Sequence, residues 1–502
     1  MKREKDPWVG NPRGGAWSMT KLISFIGLLC LLVAACETRE SLTRKRIRDV
    51  ERGLLKAVYL KGLMPEKATL PERMQFYKVP GISLAVIDQF KVEWAKAYGV
   101  KDVQTLEPVT PDTLFQAGAL SQPVAAAAAL RFVDKGIIDV EADVNGYLRD
   151  WKIRPTSAAR GKAVTLKGLL THSAGFSECI FPGVPQDEPA SSPFEPVPEG
   201  ERKKDIPVWI EYQPGSQVLV TEAGYLVLQR LLEDLDNRPI TSLLKADVLD
   251  PAGMTSSTFE KPLSGRFLPN AALGHLRDGQ ALERKWLNYE ELAAKGLWST
   301  PSDLASFALE IVAEAMGKPP KILSAPLARA MLTPQIGSRG LGFAVDGPAD
   351  SSHFYLQGRT EGFSCYLIFY PSRGQGAVIM SNSENGGLLI EEILLGISDV
   401  YEWPDYKPQE RPLFRLEPSL YRQYVGRYQI TPDYVLDVAH EDYYLVIHPT
   451  GQAPTKFYVE NQSTFFSMDP FIRIQFRKDE KGNVEGLILW QQGFEQTGKK
   501  ID

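Results

Sequence analysis

One run near the start of the chain constrains its fold more than any other. Phe115–Leu130 reads "FQAGALSQPVAAAAAL", with five consecutive alanines at Ala125–Ala129. A surface helix would carry a polar stripe at a 3.6-residue period, and this run has none before Arg131. The stretch predicts a turn followed by a helix ending near Gly136 and packed tightly on all sides. Pro123 suits a first helical turn, where a missing N–H costs nothing.

Strand signals flank this helical middle. Gly81–Val100 reads as two strands joined by a polar turn at Asp88–Lys91. "SCYLIFYP" (364–371) and "GAVIMSNS" (376–383) read as apolar strands, followed by the helical period of "GGLLIEEILLGISDVY". Helices are expected at Val164–Phe176, Gly224–Leu235, Ile240–Leu249 and Pro301–Met316. Ser41–Tyr77 is expected to be mostly helical with an interruption near Pro65. Phe181–Pro207, rich in Pro, Ser, Glu and Lys, predicts a long exposed loop. Strands at both ends of a helical centre imply an α/β main domain over 36–405. The Pro-rich, charged segment 406–412 reads as a linker. Beyond it, alternating aromatic and β-branched runs predict a small all-β domain at 413–502, with "DEKGN" as a hairpin turn.

The N-terminus has its own signature. "LISFIGLLCLLVAA" (22–35) is too short to span a bilayer comfortably, follows Lys21 and ends at Cys36. Basic flank, apolar run and small residues form the pattern of a secretory signal over 1–35. "VAAC" resembles a bacterial lipobox, which predicts lipidation at Cys36 and an exported protein held at the cell-envelope membrane by its N-terminus. Both Met1 and Met19 serve as starts for such a signal. The net charge is −5; loss of residues 1–35 removes five basic and two acidic residues and leaves −8. With no long basic run, nucleic acid is not an expected partner. Cys30 falls in the signal, and whether Cys179 and Cys365 pair is open from sequence. No cofactor or metal site is expected.

Several ordered segments together resemble the serine β-lactamase-like hydrolases, the family of class C β-lactamases, D-alanyl-D-alanine peptidases and related esterases. They are "WAKAYGV", "TPDTLFQAGALSQPVAAAAALRFVDKGIIDVEADVNGYL", "VTLKGLLTHSAGF", "PGSQVLVTEAGYLVLQRLLED", "LDPAGMTSSTFE", "GLWSTPSDLASFAL" and "GRTEGFSCYLIFYPSRGQGAVIMSNSENGG", within roughly 70–400. The resemblance implies an antiparallel sheet flanked by helices, a helical subdomain, and a lipocalin-like C-terminal barrel.

It also implies a Ser-x-x-Lys at the start of the buried helix, where i and i+3 share one face and the amine activates the hydroxyl. These positions are Ala119 and Gln122. The family's Tyr-x-Asn falls on Val220 and Glu222, and the basic residue of its third motif on Leu356, ahead of Gln357 and Gly358. A methyl group cannot attack a carbonyl, and an amide is not a general base near neutral pH. Ser121 has Val124 as its i+3 partner and reads as a helix cap. Ser18–Lys21 and Ser242–Lys245 read as chance matches. His172 reads as scaffold, His353 as outside the third motif, and Asp139 and Asp143 as capping carboxylates.

The family's oxyanion hole is built from main-chain N–H groups, so the resemblance assigns that role to the amides of Ala119 and Arg359. Ala119, Gln122, Val220, Glu222, Gly358 and Arg359 would then line a binding site, with Arg359 or Glu222 adding charge. The expected function is recognition without turnover by an envelope protein. Its expected partner is a peptide- or ester-like small ligand or an active paralogue. A hydrolase with an altered nucleophile is the alternative.

Overall fold

The computed structural model describes residues 40–179, 181–185, 208–491 and 494–501. The signal sequence, Met1, Met19, Cys30 and Cys36 lie outside the described residues, as does most of the expected 181–207 loop. The chain divides into a unit Met1–Asp49 and a unit Val50–Asp502. In the first, residues 40–49 are helical, with Arg44 paired to Glu40 one turn earlier at 3.5 Å.

In the second unit, the helix expected up to Tyr77 is corrected. Val50 and Glu51 are helical, short strands Leu54–Leu55, Val58–Leu60 and Lys67–Ala68 follow, and helix returns only at α1 (Leu70–Tyr77). Gly53, Gly62 and Pro65 break the pattern, and Thr69 restarts it as a capping box with Glu72.

The main sheet is six-stranded and antiparallel. Its strands are β1 (Gly81–Asp88), β2 (Lys91–Gly99), β3 (Ala344–Asp346), β4 (His353–Thr360), β5 (Phe363–Tyr370) and β6 (Gln375–Ser381), in the order β3-β4-β5-β6-β1-β2. The expected hairpin and both apolar strands are present. β1 is buried along its whole length because helices cover both faces of the sheet.

The alanine helix, α2 (Ser121–Asp134), packs against α4 (Ala223–Asp236) and α5 (Leu292–Lys295), with α3 (Leu166–Leu170) on α4, while α6 (Pro301–Ala315) covers one face of the sheet, packing on β1, β2, β5 and β6. Every side chain from Ser121 to Leu130 is buried. The small residues are a packing requirement. At Gly342, with φ +109°, an added Cβ would stand 2.8 Å from the Cβ of Ala126. The opposite face is covered by α7 (Gly386–Tyr401), which packs on β5 and β6.

The C-terminal region is a closed barrel of eight antiparallel strands. They are β7 (Gly426–Thr431), β8 (Tyr434–Glu441), β9 (Tyr444–Pro449), β10 (Thr455–Val459), β11 (Thr464–Met468), β12 (Phe471–Lys478), β13 (Val484–Gln491) and β14 (Phe494–Lys500). Tyr428 and Lys500 form a register pair between β7 and β14, closing it. Tyr428, Leu436, Val438, Phe457, Phe465 and Phe476 pack with other buried residues into one core, so side chains fill this barrel.

Residues 406–412, expected as a linker, include Gln409–Arg411, a strand pairing in parallel with Val58–Leu60. A buried ion cluster ties the barrel to the sheet domain. Arg73 of α1 donates to Glu392 of α7 and to Asp469 in the β11–β12 turn, each at 2.6 Å, and Tyr77 donates to Glu392 at 2.7 Å.

Candidate functional site

The site is assembled where β4 meets the start of α2. A 3₁₀ turn, Gly118–Leu120, leads into the helix, and two glycines let its backbone touch the strand. Gly118 has φ +53°, and a Cβ there would lie 2.6 Å from the Arg359 nitrogen. A Cβ on Gly358 would lie 2.0 Å from the Ala117 oxygen and 3.4 Å from the Ala119 nitrogen. Only residues without a Cβ permit this approach. It brings the backbones around the Ala119 and Arg359 amides together.

The turn is fixed from a second side. Phe115 and Gln116 pair with Ser299 and Trp298, and the Ala117 amide donates to the Leu297 carbonyl at 2.9 Å. Ser121 contributes here. It is wholly buried, donates to the Gly118 carbonyl at 2.7 Å and accepts from the Leu297 amide at 3.0 Å. The cap expected at Ser121 is therefore corrected: the residue lies inside α2, and its hydroxyl links the turn to the segment after α5.

Gln122 is buried, and its Oε1 lies 3.1 Å from His172 Nε2. His172 sits after α3 with φ +57°, its Nδ1 3.2 Å from the Thr221 carbonyl and 3.5 Å from the Thr221 amide. Burial, reinforced by the charge of Arg339, pulls its pKa down to about 3, so the ring is neutral. A neutral ring donating from Nε2 to Gln122 accepts at Nδ1 from Thr221 N–H. His172 thus joins α2 to the segment before α4, as the scaffold reading expects.

Val220 is 54 % exposed, whereas its neighbour Thr221 is buried and bonded to the backbone of Ser177 and Cys179. Glu222 meets a residue that the sequence reading did not single out. Its Oε1 is 2.5 Å from the Lys295 ammonium at the end of α5, and its Oε2 accepts from the Phe181 amide at 3.2 Å. Lys295 also lies 5.1 Å from the centre of the Tyr289 ring. Beside this pair, Glu291 is 2 % exposed with an Oε1 that has no hydrogen-bond partner among the described residues. Burial pushes its pKa up to about 7 despite Lys295. The pairing of Lys295 with Glu222 joins two distant segments and leaves no spacing signal; only the density of charge in "NYEELAAKG" hints at it.

On β4, residues alternate between the two faces of the sheet. Thr360 donates to the Gln116 side chain at 3.0 Å, so Leu356, Gly358 and Thr360 face α2. Leu356 is buried in the main core. Arg359 points the other way, its guanidinium reaching the Glu384 carbonyl at 3.5 Å. The expected charge from the Arg359 side chain is therefore corrected: its backbone borders the site and its cation does not. His353 also lies on the far face, 3.3 Å from Asp405.

Neither described cysteine offers an activated thiol. Cys179 and Cys365 are buried and unbridged, and burial pushes Cys179 up to about 11. Cys365, raised further by complete burial, donates to the Gln116 carbonyl at 3.2 Å. Asp139 and Asp143 accept from backbone amides two residues on, as capping groups do. Among the described residues no group of three or more His, Cys, Asp or Glu could hold a metal ion.

The sheet, the buried helix and the segments that meet at their junction define a serine β-lactamase-like fold. The Beta-lactamase family profile matches residues 67–393, and the chain belongs to that family. It is 20 % identical over 446 residues to penicillin-binding protein 4* of Bacillus subtilis, covering 85 % of this chain and 96 % of that one. The octameric penicillin-binding protein homologue from Pyrococcus abyssi superposes with a TM-score of 0.56 at 19 % identity, over 86 % of this chain and 98 % of the other. D-alanine carboxypeptidase AmpC from Burkholderia cenocepacia gives 0.50 at 20 % identity, over 65 % of this chain and 96 % of the other.

Proposed function

We propose that this chain is a binding or regulatory member of the Beta-lactamase family that recognises a carbonyl- or carboxylate-bearing ligand without hydrolysing it. On this reading Ala119, Gln122, Val220 and Leu356 stand where the family carries its Ser, Lys, Tyr and basic residue. The observation that carries the proposal is the state of Ser121, the hydroxyl nearest the expected nucleophile. It is buried, and both its donor and its acceptor roles are filled by backbone. A hydroxyl so engaged is not free for attack, and no base shares its helix face.

What the site retains suits binding. Backbone amides at Ala119 and Arg359 do not depend on side-chain identity, and Gly118 and Gly358 keep their segments in contact. Gln122 and Glu222 supply the polar lining and Val220 an exposed apolar one. The ligand is a peptide- or ester-like molecule of the cell envelope, or a segment of an active paralogue. Relatives described as penicillin-binding proteins support an envelope setting. The N-terminal signal supports export and a lipid anchor at Cys36; no described helix is long and apolar enough to cross a membrane.

Incubation with benzylpenicillin and, separately, a fluorophosphonate, read by intact mass beside a Ser-Lys-containing relative, tests this reading. No adduct is expected here while the relative is labelled. An adduct mapping to Ser121 would overturn the proposal in favour of a hydrolase with a rearranged nucleophile.

A further inference from the structure

A cavity lies on the face of the sheet opposite the Ala119 region, between β4, β5, α7 and the segment that leads to the barrel. Its volume is about 420 Å³, within the usual range for small-molecule sites. Tyr355, Tyr366, Tyr406 and Phe471 contribute aromatic rings to its wall, with Glu391 of α7 among them. Tyr355 and Tyr366 stack with centroids 6.1 Å apart, and the Tyr366 and Tyr406 hydroxyls are 2.6 Å apart. Tyr406 takes φ +56°, uncommon for a residue of that bulk.

The charges around the cavity are mostly committed. Asp405 accepts from the Tyr370 hydroxyl and faces His353 Nδ1 at 3.3 Å. Asp346 accepts from the Gly347 amide at 2.7 Å. Lys407, the one lysine in the wall, donates to the Ser398 carbonyl at 2.8 Å. Glu391 differs: it forms no hydrogen bond or ion pair among the described residues. Burial and the neighbouring Glu392 push its pKa up to about 7, the mark of a carboxylate lacking a counter-charge.

An anion would meet three carboxylates here. An apolar guest would leave Glu391 unsatisfied. A positive charge on an organic body satisfies both the acid and the rings, since tyrosine faces attract cations within about 6 Å. We propose that this cavity binds a small organic ammonium, with Glu391 as its counter-ion and Tyr355, Tyr366 and Tyr406 as its aromatic wall. The site is separate from the Ala119 region and does not depend on what that region binds.

Calorimetric titration of the full chain tests it with choline, ethanolamine and the neutral choline isostere 3,3-dimethylbutan-1-ol. Saturable binding of one or both cations is expected, with the alcohol about ten-fold weaker or more. Tighter choline assigns the site to quaternary ammonium, and tighter ethanolamine to primary amines. Glu391→Gln is expected to weaken the bound cation by about ten-fold at a melting temperature no lower than that of the unaltered chain. Should that variant not fold, the comparison of cation and isostere on the unaltered chain decides alone. Binding of the alcohol as tight as that of the cations, saturation by neither cation, or full affinity in folded Glu391→Gln would overturn the proposal.

Discussion

The Lys295 ammonium lies 2.5 Å from the Glu222 carboxylate, so a cation from α5 is neutralised by the residue that precedes α4. Both side chains are less than one-fifth exposed, which limits screening by solvent. Replacing Lys295 by Met strands Glu222 next to Glu291, at an expected cost of about 1–3 kcal/mol. Adding Glu222→Gln to Lys295→Met should recover part of that loss. Urea midpoints of the two single variants and the double variant measure the coupling.

Restoring the hydroxyl alone should not restore chemistry. Ala119→Ser places an oxygen at the turn, but Gln122 is an amide held by His172 and cannot take its proton. No penicilloyl adduct is expected by intact mass for Ala119→Ser. Adduct formation is expected only when Gln122→Lys accompanies it, and faster with Val220→Tyr added.

His172 should make stability fall in acid. Its folded pKa, about 3, lies below the ordinary histidine value, so the unfolded chain binds the proton first. The contribution is whole above pH ~6.5 and is lost as pH falls toward 3, by up to about 1.4 kcal/mol per unit. His172→Asn keeps a residue type that tolerates positive φ and should flatten this slope between pH 6.5 and 4 in urea titrations. An unchanged slope would assign the acid sensitivity elsewhere.

Glu291 works in the opposite direction. Its folded pKa, about 7, lies above the ordinary carboxylate value, so the folded chain holds the proton that the unfolded chain releases. That contribution is present below pH ~4.5 and lost as pH rises through 7. Glu291→Gln should therefore raise the urea midpoint at pH 8 and leave it little changed at pH 4, with a gain of up to about 3 kcal/mol at the higher pH.

Arg73 is the joint between barrel and sheet domain. Arg73→Met leaves the buried Glu392 without a counter-ion and Asp469 with Lys56 alone, at an expected cost of about 3–5 kcal/mol. Scanning calorimetry should then resolve a separate, earlier barrel transition, where the parent chain shows one.

Much of this architecture was legible because it rests on local pattern. The alanine run reported a helix enclosed on all sides, and alternation reported the β1–β2 hairpin and the barrel strands. Ser41–Tyr77 is helical at both its ends and not between them, because the charged helical composition continues through Gly53, Gly62 and Pro65, where backbone geometry overrides it. The Ser121 hydroxyl was read as a cap because its true partner, Leu297, is remote in sequence. Lys295 and Glu391 escaped notice for the same reason. Lys295 gains its meaning from a contact across the fold and Glu391 from a cavity that distant segments enclose, neither of which a window of adjacent residues contains.

The order of strands in the main sheet has a consequence for how the chain comes to be folded. β1 is made early, yet its inner neighbour is β6: Leu84 lies opposite Ile379, and Ser381 donates to the Gly81 carbonyl across a sequence separation of 300 residues. Closing so long a loop before any contact repays it makes such pairings slow to form. The first hairpin must therefore wait, with one edge unpaired, until most of the chain has been synthesised. Until β6 arrives, the open edge of β1 presents unpaired N–H and C=O groups to any other strand, which makes the half-made chain a template for wrong pairings.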